Sequence, residues 1–292
     1  MKRIGHLMPQ IADRRNLALA FWKAAKGRRR QPVVQRFAGN LDEQLARISA
    51  GLLADDLPLG RFHRFVVCDP KRRTIHAAPI RERVVHHAIL NVCGPYLERS
   101  ACHDSYACRL GKGNRAALER ARSFASRHRY YLKLDIHHYF DSIDHAILAA
   151  DYRRLFKDAS LLALLDRIVD SYETLVGKGL PIGTLTSQHL ANFYLDPLDR
   201  FVHEELSCPA YVRYMDDFVL WDDSRERLGQ WLDTIRDYLR EQRALELKPA
   251  TVLARTAEGM AFLGFRVLPG RILLGRSARR RFRRRLAVCT QD

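Results

Sequence analysis

Two adjacent aspartates interrupt an otherwise apolar stretch of this chain. Ala210–Tyr214 and Phe218–Trp221 read as short strands, with Met215-Asp216-Asp217 turning between them. Buried strands rarely tolerate such charge unless a cation neutralises it. Carboxylate oxygens are hard donors and suit magnesium. The plain alternative is a solvated Asp-Asp turn in an ordinary hairpin. Asp135 adds a third carboxylate at the end of the apolar run Tyr130-Tyr131-Leu132-Lys133-Leu134. If the two strands are neighbours, Asp135 faces the Asp216-Asp217 turn, and the three side chains can bridge two magnesium ions about 3.5–4 Å apart. Capping a helix is the other role open to Asp135.

The pattern around these residues predicts an α+β fold. Helical spacing runs over residues 11–26, 41–54, 81–98 and 113–128. Residues 61–79 read as a hairpin around the basic turn Lys71-Arg72-Arg73. Further helices are expected over 145–156, 159–173, 189–206 and 225–242, with residues 179–188 as a Gly/Pro/Thr/Ser loop. Residues 260–275 contain two more strands, and residues 277–286 close the chain as a strongly basic helix or tail. The order predicts a small antiparallel sheet under helices.

The sequence has 292 residues, 47% of them hydrophobic, enough for a real core. Lysine and arginine number 50 against 33 acids, a net charge of +17. A globular chain this basic usually meets a polyanion, most often nucleic acid; a basic protein that is merely soluble, or one that sits on an anionic membrane, is the alternative. No run approaches the roughly 20 apolar residues of a membrane span. The N-terminus lacks the apolar core of a signal peptide. Six cysteines form no CxxC pair, which argues against zinc and disulfides and fits a reducing cytoplasm.

The motifs together resemble the reverse-transcriptase family. Tyr214-Met215-Asp216-Asp217 is similar to its catalytic hairpin, and residues 132–145 to its first catalytic strand. Residues 179–202 resemble the loop and helix that cradle template and incoming nucleotide. Phe262-Leu263-Gly264-Phe265-Arg266-Val267 resembles the segment that grips the primer end. Residues 70–89 and 106–117 resemble fingers segments. The resemblance covers about residues 55–270, in the family's order.

That resemblance implies a right-hand polymerase: an N-terminal extension and fingers over 1–130, a palm over 131–270 with some fingers elements interleaved, and a basic start of the thumb over 271–292. It implies RNA-directed DNA synthesis using two Mg2+ ions, with Mn2+ as a substitute. Asp135, Asp216 and Asp217 are the implied catalytic residues, and with Ile136 they make up the metal-binding set. Arg73, Arg109, Phe140, Ile182, Gly183 and Gln188 are the implied nucleotide-binding residues, with Ser187 beside them. Phe140 takes the steric-gate position, where a ring collides with a ribose 2′-hydroxyl; core packing is its ordinary alternative. Phe262, Leu263 and Gly264 are the implied primer grip. Lys71, Lys112, Arg279, Arg280 and Arg283 are candidates for nucleic-acid phosphates, or simply a solvated basic surface. Lys248 lies where a general acid for pyrophosphate belongs.

Many retroviral and intron enzymes carry Gln before the glycine of the template loop, whereas this chain has Ile182. The form Ile182-Gly183-x-x-x-Ser187-Gln188 resembles enzymes of diversity-generating retroelements in bacteria and phages. Those copy a template-repeat RNA with errors at adenine and work with a small basic accessory protein. A retron-like or anti-phage defence enzyme and a catalytically silent RNA-binding module are the alternatives. The implied partners are template RNA, a DNA or cDNA primer and dNTPs, with no membrane. About twenty arginine-rich residues follow the primer-grip motif, so the expected thumb is short, truncated or supplied by a partner.

Overall fold

The computed structural model describes residues 3–68 and 72–289. The N-terminal helices are α1 (Met8–Ala12), α2 (Arg14–Ala25), α3 (Pro32–Gly39) and α4 (Leu41–Leu53). The hairpin β1 (His63–Cys68) and β2 (Arg72–Ala77) leads into the long α5 (Ile80–Ser100), then α6 (Asn114–Ala125) and β3 (Tyr130–Asp135). The short α7 (Tyr139–Ser142) precedes α8 (His145–Leu155), α9 (Ala159–Asp170), α10 (Leu185–Tyr194) and α11 (Asp196–Glu204). The hairpin β4 (Tyr211–Tyr214) and β5 (Asp217–Asp222) is followed by α12 (Arg225–Arg243) and β6 (Val252–Arg255). Three short strands, β7 (Met260–Phe262), β8 (Phe265–Leu268) and β9 (Arg271–Leu274), precede α13 (Arg276–Cys289).

Aspartates and a serine start several helices by accepting otherwise unmatched first-turn amides. Asp13 does so for α2, Asp144 for α8, Asp158 for α9 and Ser224 for α12. Asp158 also accepts from the amides of Leu7 and Met8, at 2.7 and 3.1 Å, and so fixes α1 beside α9.

The chain divides into two compact units, each assembled from two stretches: Met1–Ala101 with His138–Tyr194, and Cys102–His137 with Leu195–Asp292. Linear boundaries at 130 and 270 cut across them. The first unit holds the β1–β2 hairpin and a helical core in which Leu17, Ala20, Ile48, Val84, Val85 and Ala88 are buried. The second holds a four-stranded antiparallel sheet in the order β4-β5-β3-β6 and a three-stranded sheet β7-β8-β9. Phe124 of α6, Tyr131 of β3, Trp221 of β5 and Phe262 of β7 meet in its core.

Three expectations need correction, and one element was not expected. The loop over 179–188 ends early, because α10 already begins at Leu185. The single helix over 189–206 is two: Pro197 has no amide to continue the ladder, and α11 restarts with that proline in its first turn. Residues 260–275 hold three strands rather than two. β6 pairs with the free edge of β3, an element the sequence pattern did not reveal. The basic C-terminal segment is helical over Arg276–Cys289.

Candidate active site

The register of the four-stranded sheet places the carboxylates. β3 and β5 run antiparallel with Asp135 opposite Asp217, and β4 meets β5 with Tyr214 opposite Asp217. Directly opposed residues share a sheet face, and like charges so placed repel. Met215 and Asp216 form the tip of the hairpin. Met215 takes φ 58°, a left-handed value that costs a residue with a side chain roughly 1–2 kcal/mol. The Ile136 amide donates to the Asp216 carbonyl at 3.3 Å and ties the tip to the end of β3. The next helix, α7, starts only at Tyr139, so Asp135 is not a helix cap.

Burial and mutual repulsion raise the carboxyls. Asp217 is pushed up to about 6, chiefly by burial, against the pull of Lys133. Asp216 is raised by burial and then by the charge of Asp135. Two ammonium groups offset part of this charge: Lys133 Nζ lies 3.0 Å from Asp217 Oδ1, and Lys248 Nζ lies 2.6 Å from Asp135 Oδ1. Lys248 is therefore a direct neighbour of Asp135. Its amide also donates to the Asp135 carbonyl at 2.8 Å.

These residues fit divalent cations. Asp135 Oδ1 and Asp217 Oδ1 are buried and accept no well-directed hydrogen bond, since the nearby ammonium groups lie at ion-pair distance but off hydrogen-bond geometry. Orphaned oxygens on Asp135 and Asp217, beside the raised carboxyl of Asp216, are a donor set suited to magnesium. Among the described residues, no three His, Cys, Asp or Glu side chains already converge as a closed metal site. Lys133 and Lys248 already place positive charge beside these oxygens. The Ile136 side chain is fully buried and has no donor atom, so any ligand role falls to its carbonyl.

Arg213, which no sequence motif marks, underlies the hairpin tip. It is wholly buried and forks onto Asp199 of α11, with Nε–Oδ1 at 2.6 Å and Nη2–Oδ2 at 2.5 Å. Burial opposes its charge, but Asp199 raises its pKa well beyond the ordinary value. Tyr211 donates to the same carboxylate at 2.7 Å, and Asp196 lies 3.6 Å from Nη2. Arg213 Nη1 also donates to the Met215 carbonyl at 3.2 Å. A buried ion pair thus reaches the strained residue of the turn. Its signal was weak, because a lone arginine in a strand ordinarily reads as a solvent-facing position. Lys133 was more legible, sitting two residues before Asp135 and hence on the same strand face.

The remaining predicted residues fall into separate groups. In the first unit, the His76 amide of β2 donates to the Ile182 carbonyl at 2.7 Å, so the strand that carries exposed Arg73 abuts the Ile182-Gly183 loop. Gly183 has φ 120°, and a Cβ there would stand 2.7 Å from Ile75 Cγ2. The Leu180 amide donates to the carbonyl of half-buried Phe140, whose ring sits edge-on to Tyr139. Gln188 is half-buried in the first turn of α10, and buried Ser187 bonds Thr184 Oγ1 through its hydroxyl, at 2.5 Å. The same loop is pinned from α5: Thr186 Oγ1 lies 2.9 Å from His86 Nδ1, with Glu82 3.4 Å from the other ring nitrogen.

In the second unit, Arg109 donates to the carbonyls of Cys102 and Ser105, and Lys112 to that of His103 at 2.8 Å. Both brace the loop over 102–113. Phe262 is buried, and Leu263-Gly264 is the two-residue turn of the β7–β8 hairpin, both at positive φ. Arg279, Arg280 and Arg283 are exposed on α13. Lys71 lies outside the described residues.

Carboxylates paired across adjacent antiparallel strands, with a third at the hairpin tip, define a polymerase-type palm. Residues 69–267 match the family described as reverse transcriptase (RNA-dependent DNA polymerase), and the chain belongs to that family. It is 24% identical over 249 residues to Protein YkfC of Escherichia coli (strain K12), across 70% of this chain and 65% of that protein. Its fold is similar to apo telomerase from Candida tropicalis truncated from the C-terminal domain, with TM-score 0.52 and 14% identity over 73% of this chain. A second apo telomerase structure from Candida tropicalis gives TM-score 0.52 at 11% identity over 78% of this chain. The chain spans 54% and 53% of those telomerase chains and just under two thirds of YkfC. Among the described residues no helix is long and apolar enough to cross a membrane.

Proposed function

We propose that this chain is an RNA-directed DNA polymerase, joining deoxynucleotides to a primer along an RNA template. The observation that carries this reading is the register pairing Asp135 with Asp217 beside Asp216, within a chain of the reverse-transcriptase family. Asp135 and Asp216 would hold magnesium, with Asp217 completing the set through its charge. Magnesium, when bound, supplies Lewis-acid activation of a primer hydroxyl and offsets triphosphate charge. Lys248, beside Asp135, can hold a proton for the departing pyrophosphate. The Leu263-Gly264 turn supports the primer end, and Arg73 and Arg109 bind phosphate. Phe140 excludes a 2′-hydroxyl. In this reading the second unit's four-stranded sheet is the palm, the β1–β2 hairpin belongs to the fingers, and α13 begins the thumb. Primer extension on an RNA template with magnesium tests it: the wild type is expected to synthesise DNA and Asp216→Ala to lose at least about a thousandfold. Equal activity of the two proteins would overturn it.

The finer reading is a diversity-generating retroelement enzyme, aided by a small basic accessory protein. Ile182 supports it: the residue before Gly183 has no side-chain amide to help test nucleotide geometry. Ile182→Gln should lower misincorporation opposite template adenine. An unchanged adenine error rate would remove this explanation.

A further inference from the structure

The N-terminal helix α2 has two unlike faces. Leu17, Ala20, Ala24 and Ala25 are buried. The opposite side exposes Arg15, Leu19, Trp22 and Lys26, spaced at i, i+4, i+7 and i+11, which is one stripe along a helix. Trp22 is 52% exposed, and the Arg29 guanidinium sits 5.8 Å from its ring centroid. Arg28, Arg29 and Arg30 follow directly, all exposed.

Positive charge gathers at the end of α2 and on the neighbouring α5. Arg83 of α5 is half-buried, and its Nε is buried with no hydrogen-bond partner. Burial and then Arg28 lower its pKa. His87, one turn further along α5, is lowered to about 4 by burial and by surrounding cations, Lys23 first among them. Among the described residues, Lys23, Lys26, Arg28, Arg29 and Arg83 form no ion pair with a carboxylate; Arg14 takes Asp42, and Asp13 is spent on capping α2. Cations that repel one another are favoured where an anion joins them.

We infer that the outer face of α2, with Trp22 at its centre and Arg28, Arg29 and Arg83 at its edge, is a docking surface for single-stranded RNA. The choice of ligand rests on the reading of the chain as an RNA-copying enzyme; the surface itself lies on the unit that does not carry the aspartates. An exposed indole offers a face on which a base stacks, and the cations meet the phosphates on either side. Arg29 over the ring offers a second flat cation for the same base. An anionic bilayer would also attract the charge, but the apolar stripe is only Leu19 and Trp22 wide. Arg15 and Lys26 bound it at both ends, too little for stable insertion.

The molecule supplies its own probe. Trp221 and Trp231 are buried, so among the three tryptophans only Trp22 emission is open to solution. Titration with an unstructured oligouridylate should quench that emission. Trp22→Ala should weaken binding of a labelled oligouridylate about tenfold, while Trp22→Phe, which keeps a ring, retains most of it. Arg28→Ala should shallow the salt dependence by about one phosphate. Asp216→Ala should bind like wild type, so loss of synthesis and loss of this surface are separate outcomes. The inference fails if saturating RNA leaves Trp22 emission unchanged or Trp22→Ala binds as tightly as wild type. It also fails if phosphatidylserine vesicles quench Trp22 and RNA does not.

Discussion

Asp217 shows what the candidate site costs the fold. Burial holds its carboxyl near 6, above the ordinary 3.8. The folded state therefore binds this proton more tightly than the unfolded state. Stability falls as pH rises from about 4 to 6, and the penalty is fully present above 6. Asp217→Asn should stabilise the protein by about 2–3 kcal/mol at pH 7 and by little near pH 4. Urea melts at both values check this, and an Asn variant no more stable at pH 7 would contradict it. Arg213 acts in the opposite sense. Arg213→Lys keeps the charge but loses the fork that spans Asp199 and the Met215 carbonyl. It should fold, yet lower kcat at least about tenfold with little change in KM, because it disturbs placement of the tip rather than binding. A kcat equal to wild type would remove its positioning role. The sequence made the aspartates legible because charge is conspicuous in apolar strands. It hid Arg213 because its partner Asp199 sits on a helix 14 residues earlier, and no local spacing links the two.

At the scale of elements, the strands and helices with strong periodicity were legible, including the β4–β5 hairpin and the long α5 and α12. What escaped was set by tertiary context. β6 has no alternating burial pattern and exists because β3 has an edge to pair with. α10 starts inside a segment rich in turn residues, where Thr184 takes the Ser187 amide at 3.3 Å. The glycine of that loop separates two causes of strain. Gly183 and Gly264 both have positive φ, but only Gly183 has a neighbour where a Cβ would go. Gly264→Ala should cost about 1 kcal/mol, and Gly183→Ala distinctly more, because Ile75 and β2 must also shift. Thermal melts of the two variants rank them, and equal losses would mean that the β2 contact with the loop is slack.

For the whole molecule, the charge of +17 was plain from composition, but its distribution was not. One unit gathers carboxylates whose charge lysines partly offset; the other carries the basic stripe of α2. RNA affinity should fall about twentyfold for a fourfold rise in salt if three phosphates are engaged, and a flat response in a filter-binding series would argue against phosphate contacts. The central claim is that Asp135 and Asp216 hold divalent cations. Manganese(II) titration followed by the EPR signal of the free ion tests it without any catalytic assay. The wild type should take up manganese and the Asp135→Asn/Asp216→Asn variant, folded by circular dichroism, should leave it free; equal uptake by the two proteins would contradict the claim.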